Sequence, residues 1–457
     1  MILFDILCKF AFNLDKESLH WYNLPMKNKE LENRDLNVLW HPCTQMKDHE
    51  TLPLIPIKKA HGIYLEDFEG NKYIDAISSW WVNMFGHTNE YINTKIKEQL
   101  DTLEHVILAG FTHEQVIRLS ERLVKLTPPN LDKCFYSDNG SSAVEVALKM
   151  SYHAHYNDGK KKSLFVSLKN SYHGETIGAL SVGDVELYKE TYEPLLIKTI
   201  QTEVPIDMSE EAAEQAAKKF EKLCAKRPDE ISAIILEPLI QGAGYMHMYH
   251  PKYLVLVREI CTKYNVHLIA DEVMVGFGRT GELFACEKAR ISPDFLVLSK
   301  GLTGGYLPLS VVLTSNEIYA KFYCDYNEHK AFLHSHSYTG NALACAAANA
   351  TLDIFENENI IEKNRALALY MSQKLQKFSQ LPNVKEIRQT GMVAVVELQG
   401  YEAHERIGLK VYEYGLAHGV LLRPLGHIVY FMPPYIITKS EIDIMMNTAY
   451  EAIKNLA

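Results

Sequence analysis

From about residue 130 to residue 315, short apolar runs alternate with stretches of helical period. Runs at 134–137, 164–168, 231–236, 266–270, 295–298 and 309–313 are apolar at nearly every position, which predicts strands covered on both faces. Helical patterns lie between several of them, as at 141–155 and 252–264. This alternation predicts an α/β fold: a mostly parallel sheet between two layers of helices, with ligands beyond the carboxyl ends of the strands.

The pattern changes near residue 356. A polar helix at 361–375, a strand at 392–398, a helix at 404–418 and strands at 420–423 and 427–431 precede a last helix after Thr438-Lys439-Ser440. This predicts a large domain over 76–355 and a smaller α+β domain over 356–457. The segment 1–75 is expected to join the small domain, with 1–35 an extension open to disorder.

Composition narrows the functions. The 457 residues have room for two or three domains. Hydrophobic residues at 47% and charged residues at 23% suit a globular enzyme. A net charge of −10 argues against a nucleic-acid partner, and Lys160-Lys161-Lys162 reads as a solvated loop. The eight cysteines form no C-x-x-C pair, so neither a disulfide frame nor a metal site is expected, and a reducing compartment is. The apolar start of the chain is broken by Asp5 and Lys9, too short to span a membrane and a poor signal peptide. A cytoplasmic protein without membrane contact is expected.

Four motifs carry candidate chemistry. Tyr136-Ser137-Asp138-Asn139-Gly140-Ser141-Ser142 is a strand end, a small-residue turn and a helix start, a place that favours an anion. Taken alone it reads better as an ordinary N-cap turn. Asn170-Ser171-Tyr172-His173-Gly174 follows a strand, and Tyr172 suits either an aromatic platform or a core position. The 266–270 run ends at Asp271-Glu272, where a carboxylate would face the crevice or merely cap a helix. A carboxylate beside a pyridine nitrogen keeps that nitrogen protonated. The 295–298 run ends at Ser299-Lys300-Gly301, and a lysine aimed into a crevice forms a Schiff base once its pKa is depressed.

Each motif alone has a bland explanation, but their order is specific. With Glu237-Pro238, Asp271-Glu272-Val273 and Gly276-Phe277-Gly278-Arg279-Thr280-Gly281, the chain from about Trp40 onward resembles the class III aminotransferases of fold type I. That resemblance implies a large domain built on a mostly parallel seven-stranded sheet. It implies pyridoxal 5'-phosphate, bound by Gly140, Ser141, Tyr172, Asp271, Val273 and Lys300, with Lys300, Asp271 and Tyr172 catalytic. It also implies a homodimer with sites at the interface, Ser337 standing for a family threonine that reaches the neighbouring cofactor's phosphate.

Three strings are narrower: Trp40-His41-Pro42-Cys43-Thr44-Gln45-Met46, Ser78-Ser79-Trp80-Trp81, and Arg423-Pro424 with Tyr430-Phe431-Met432-Pro433-Pro434-Tyr435. They resemble the family branch that aminates 8-amino-7-oxononanoate to 7,8-diaminononanoate in biotin synthesis, with S-adenosylmethionine as the usual donor. Met274, in place of a common glutamine, fits that branch. The branch implies a substrate site of Trp80, Tyr172, Lys300, Ser335, Arg423, Cys43 and Tyr430. Trp80 would wall the aliphatic chain and Arg423 would take the distant carboxylate in a forked pair. Packing of the tryptophan pair and a surface salt bridge at Arg423 are the bland counterparts. Ser335 replaces a glycine and narrows the pocket, and Cys43 replaces a tyrosine whose hydrogen bond a thiol cannot supply. The latter leaves lysine open as donor. A transaminase for other ω-amines and a non-catalytic relative are the alternatives. Trp40 follows a lead long for the family, which makes Met26 a candidate initiator beside Met1.

Overall fold

The structure, a computed structural model, describes residues 27–456. The choice between Met1 and Met26 lies outside the described residues. The chain divides into two compact units, one of residues up to 60 with 64–73, the other of residues 61–63 with 74–457. In the first, the described part of the expected extension contains the helix Asn28–Leu36, followed by a short 3-10 turn at Met46–Glu50 and the strand Tyr64–Asp67. Asn28 ties that helix to the strand by donating from Nδ2 to Asp67 Oδ2 at 2.9 Å.

The second unit is built on a seven-stranded sheet. Its strands in chain order are β1 (Lys133–Ser137), β2 (Leu164–Leu168), β3 (Thr199–Thr202), β4 (Ile231–Leu236), β5 (His267–Asp271), β6 (Phe295–Leu298) and β7 (Ser310–Thr314). Their spatial order is β1-β7-β6-β5-β4-β2-β3. Only β7 runs antiparallel to its neighbours. The central strands are buried at every position because helices cover both faces. Burying one such side chain, for example Ile235, is worth about 1.5–3 kcal/mol.

The helix Gly140–Asn157 lies on this sheet through Ala143, Val146, Ala147 and Ala154, which join Phe165, Ile235, Ile269 and Phe295 in one core cluster. Its start is fixed by Asn139, whose side chain accepts from Ser142 N at 3.0 Å. A second, antiparallel sheet of Val384–Thr390, Val393–Leu398 and Ile428–Phe431 lies wholly beyond residue 356. A capping box of Thr438 and Glu441 opens the last helix, Lys439–Lys454.

The lysine run is not the solvated loop expected of it. Lys160 and Lys161 are exposed, but Lys162 is buried. Its ammonium donates to the carbonyls of Tyr264 and Asn265 at 3.0 and 2.9 Å, capping the C-terminus of the helix Lys252–Tyr264. Among the described residues no helix is long and apolar enough to cross a membrane.

Candidate active site

The sheet order gathers the candidate residues. Lys300 follows β6, Asp271 ends β5, Glu237 follows β4, and Tyr172 and His173 follow β2, and these are four adjacent strands. In register, Asp271 lies beside Val297, so lysine and carboxylate emerge together at the carboxyl end of the sheet.

Asp271 is buried, and its Oδ1 accepts from Val273 N at 3.1 Å. Its Oδ2 lies 2.7 Å from Nδ1 of buried His173. Lys300 sits at φ 47 and keeps surface open to the crevice. Surrounding protein still desolvates its ammonium and pushes the pKa down to about 8, against the pull of Asp271 and Glu237 and with help from Arg279. Its Nζ stands 4.6 Å from the centroid of Trp81.

Glu237 is fully enclosed, which pushes its carboxyl up to about 7 although nearby His173 lowers it. Its oxygens accept from Tyr172 N at 3.0 Å and Gly242 N at 2.7 Å. Tyr172 is half-buried, its hydroxyl donating to Glu175 at 3.0 Å. Glu272, the acid next to Asp271, is structural: it accepts from Ala285 N and Cys286 N at 2.6 and 2.8 Å.

At the anion turn, Ser141 Oγ accepts from Thr176 N at 3.0 Å. A Cβ on Gly140 would lie 2.9 Å from Val273 Cγ1, and one on Gly174 (φ 119) would lie 2.4 Å from Ser141 Oγ. Only glycine allows these segments to meet so closely. Gly140, Ser141, Tyr172, Asp271, Val273 and Lys300 are therefore drawn together at the carboxyl end of the sheet.

Ser78, Ser79, Trp80 and Trp81 have φ of 51, 46, 71 and 73°. Such left-handed backbone costs L-residues roughly 1–2 kcal/mol each. Trp81 is buried and donates from Nε1 to Tyr430 OH at 3.1 Å, so Tyr430 stands behind Trp81. Trp80 is 39% exposed, with the Arg423 guanidinium 4.5 Å from its ring centroid. Ser335 and Ser337 lie in an exposed segment without regular structure. Cys43 belongs to the first unit, where it is exposed at φ 50.

His173, Glu237, Thr176 and Trp81 stand in contact with these candidates. Glu237 and Trp81 lay in strings that already pointed to a family, but nothing local in the sequence marks them as site residues.

A family model for class III aminotransferases matches residues 45–453. The chain is a class III aminotransferase. This aminotransferase is 56% identical over 414 residues to the adenosylmethionine-8-amino-7-oxononanoate aminotransferase of Helicobacter pylori, covering 89% of this chain and 94% of that one. Its fold matches the crystal structure of the enzyme of that name from Methanocaldococcus jannaschii with a TM-score of 0.90 at 39% identity, covering 94% of this chain and 99% of that one. An omega transaminase from Pseudomonas jessenii, solved in complex with PMP, matches with a TM-score of 0.88 at 29% identity, covering 93% of this chain and 98% of that one. The expected aminotransferase family and fold type are thereby borne out.

Proposed function

We propose that this aminotransferase converts 8-amino-7-oxononanoate to 7,8-diaminononanoate in biotin synthesis, with S-adenosylmethionine as amino donor. The observation that carries the reading is Arg423 resting on Trp80 at 4.5 Å, with Lys300 Nζ beside the adjoining Trp81 at 4.6 Å. A long aliphatic keto acid needs an amine at one end, an apolar wall along its chain and a forked cation at the other end. The names of the Helicobacter and Methanocaldococcus relatives support the same substrates.

The residues present fit pyridoxal phosphate. The cradle at Gly140 and Gly174 is too tight for any Cβ, and the buried Asp271 keeps its carboxylate at the crevice. Gly140 and Ser141 would hold the phosphate, Asp271 the pyridine nitrogen, Tyr172 and Val273 the ring, and Lys300 the aldehyde carbon. When bound, the cofactor supplies an electron sink and carries the amino group between the two substrates.

The chain's own groups supply the rest. The Lys300 amine, with its pKa near 8, is basic enough to take the donor's α-proton and acidic enough to deliver a proton at the acceptor's carbon. Asp271 holds negative charge where a ring cation is needed. Glu237 braces the backbone of Tyr172. Arg423 and Trp80 orient the acceptor so that its ketone faces Lys300.

We also read the protein as a cytoplasmic homodimer, the segment with Ser337 reaching the cofactor of a second copy. Leu333 and Tyr338, 94% and 63% exposed on that segment, and Phe111 at 66% are apolar surface suited to burial in such an interface. Lysine is the second donor reading, favoured by the thiol of Cys43 where the family has a tyrosine.

The test is a donor panel with 8-amino-7-oxononanoate, scoring diaminononanoate by mass. Product with S-adenosylmethionine is expected. Product with lysine alone transfers the donor role, and no product with any donor overturns the substrate assignment.

A further inference from the structure

The turn Ser78–Trp81 is the longest run of positive-φ non-glycine residues among those described. It is a left-handed helical turn with hydrogen bonds of helical spacing, from Trp81 N to Ile77 O and from Val82 N to Ser78 O, both 2.9 Å. L-residues avoid this conformation singly and still more in series, so it persists only where surroundings impose it.

The surroundings converge on one carboxylate. Asp75 has no exposed surface. Its Oδ1 accepts from Ser79 N at 2.9 Å and its Oδ2 from Ser79 Oγ at 2.7 Å. The same Oδ2 lies 3.0 Å from His87 Nε2, and the other nitrogen of that ring lies 3.1 Å from Asn83 Nδ2, just past the turn. Ser78 Oγ adds a bond to Met432 O at 2.7 Å. Asp75 thus grips the second residue of the turn by backbone and side chain at once.

The handedness has a consequence for the two indoles. Neighbouring residues on a helical turn point about 100° apart, so Trp80 and Trp81 cannot face the same way. In the left-handed sense Trp81 goes inward to Lys300 and Trp80 outward to Arg423. A right-handed turn would rotate the pair in the opposite sense and break both pairings.

We propose that Asp75 is a positioning residue for acceptor binding: through Ser79 it imposes the left-handed turn that divides the tryptophans between the reacting amine and the carboxylate-binding arginine. The claim rests on the acceptor reading above. Asp75 touches neither substrate nor cofactor and acts only through the turn.

The test compares wild-type and Asp75→Asn holoenzyme in steady state with 8-amino-7-oxononanoate, and records the near-ultraviolet circular dichroism of both without substrate. The variant keeps the shape but must turn an amide donor toward Ser79 or His87. The expected result is a rise of about tenfold in the acceptor KM with kcat lowered less than about threefold, as for one lost charge-assisted hydrogen bond, together with a weakened tryptophan dichroism. An unchanged KM with unchanged dichroism overturns the proposal, and so does a fall in kcat at constant KM. If Asp75→Asn does not fold, Ser79→Ala removes only the hydroxyl bond, and the same split in smaller measure is expected. Wild-type KM and dichroism in Ser79→Ala would then overturn it. Wild type that does not aminate the acceptor defeats the substrate reading instead, and the dichroism alone decides whether Asp75 holds the turn.

Discussion

His173 Nδ1 and Asp271 Oδ2 lie 2.7 Å apart with both side chains buried, while His173 Nε2 has no hydrogen-bond partner among the described residues. The imidazole is therefore committed to the carboxylate and fixes its orientation toward the crevice. Replacing it by His173→Phe leaves Asp271 with Val273 N alone among these contacts. Affinity for pyridoxal phosphate should fall about tenfold or more, the loss of a hydrogen bond to a charged group. Absorbance titration of cofactor-stripped protein measures this, and unchanged affinity would reduce His173 to packing.

The lowered pKa of Lys300 gives a pH dependence. Below about 8 the side chain is mostly an ammonium and cannot attack an aldehyde; above it the free amine dominates. Capture of pyridoxal phosphate by stripped protein should accelerate as pH rises through about 8 and then level off. A rate still climbing toward the ordinary lysine value of 10.5 would show that the crevice does not desolvate Lys300.

Arg423 is held face-on to Trp80 at 4.5 Å. Arg423→Lys keeps the charge but loses the planar fork and the stacking. We expect the acceptor KM to rise about tenfold, from the loss of a bidentate pair. An unchanged KM would place the acceptor carboxylate elsewhere.

Away from the crevice, His155 and His267 stack 4.1 Å apart in the core. Burial pushes His155 from 6.5 down to about 4 and also lowers His267. The unfolded chain then binds more protons than the folded one between those values, so stability is lost as pH falls from 6.5 toward 4. His155→Gln keeps a donor for the Ser232 carbonyl and removes one of the two titrations. Its melting temperature should change less across this range than that of wild type, and a parallel decline would assign the acid sensitivity to other groups.

Much of the large sheet was legible because its central strands are buried on both faces and read as apolar runs. β2, β4 and β6 fall where the runs predict them. The edge strand β3, Thr-Ile-Gln-Thr, and the strand Val384–Thr390 are half-exposed and carry polar residues, so neither stands out in the hydrophobic pattern. At the site, Lys300 and Asp271 were legible as polar residues ending apolar strands. Glu237 was not, because its role comes from accepting the Tyr172 and Gly242 amides across loops. The left-handed turn at Ser78–Trp81 was also hidden, since Ser-Ser-Trp-Trp contains no glycine to announce positive φ. Side-chain contacts hold it: a local one from Ser79 to Asp75, four residues upstream, and a long-range one from Ser78 to Met432 O.

In this reading Lys300 carries the chemistry. Borohydride reduction of the cofactor-loaded protein, followed by proteolysis and peptide mass analysis, puts that assignment to the test. One phosphopyridoxyl-modified peptide is predicted, with the label on Lys300, and no such peptide from Lys300→Ala. A label on a different lysine, or none in a protein that still transaminates, would contradict it.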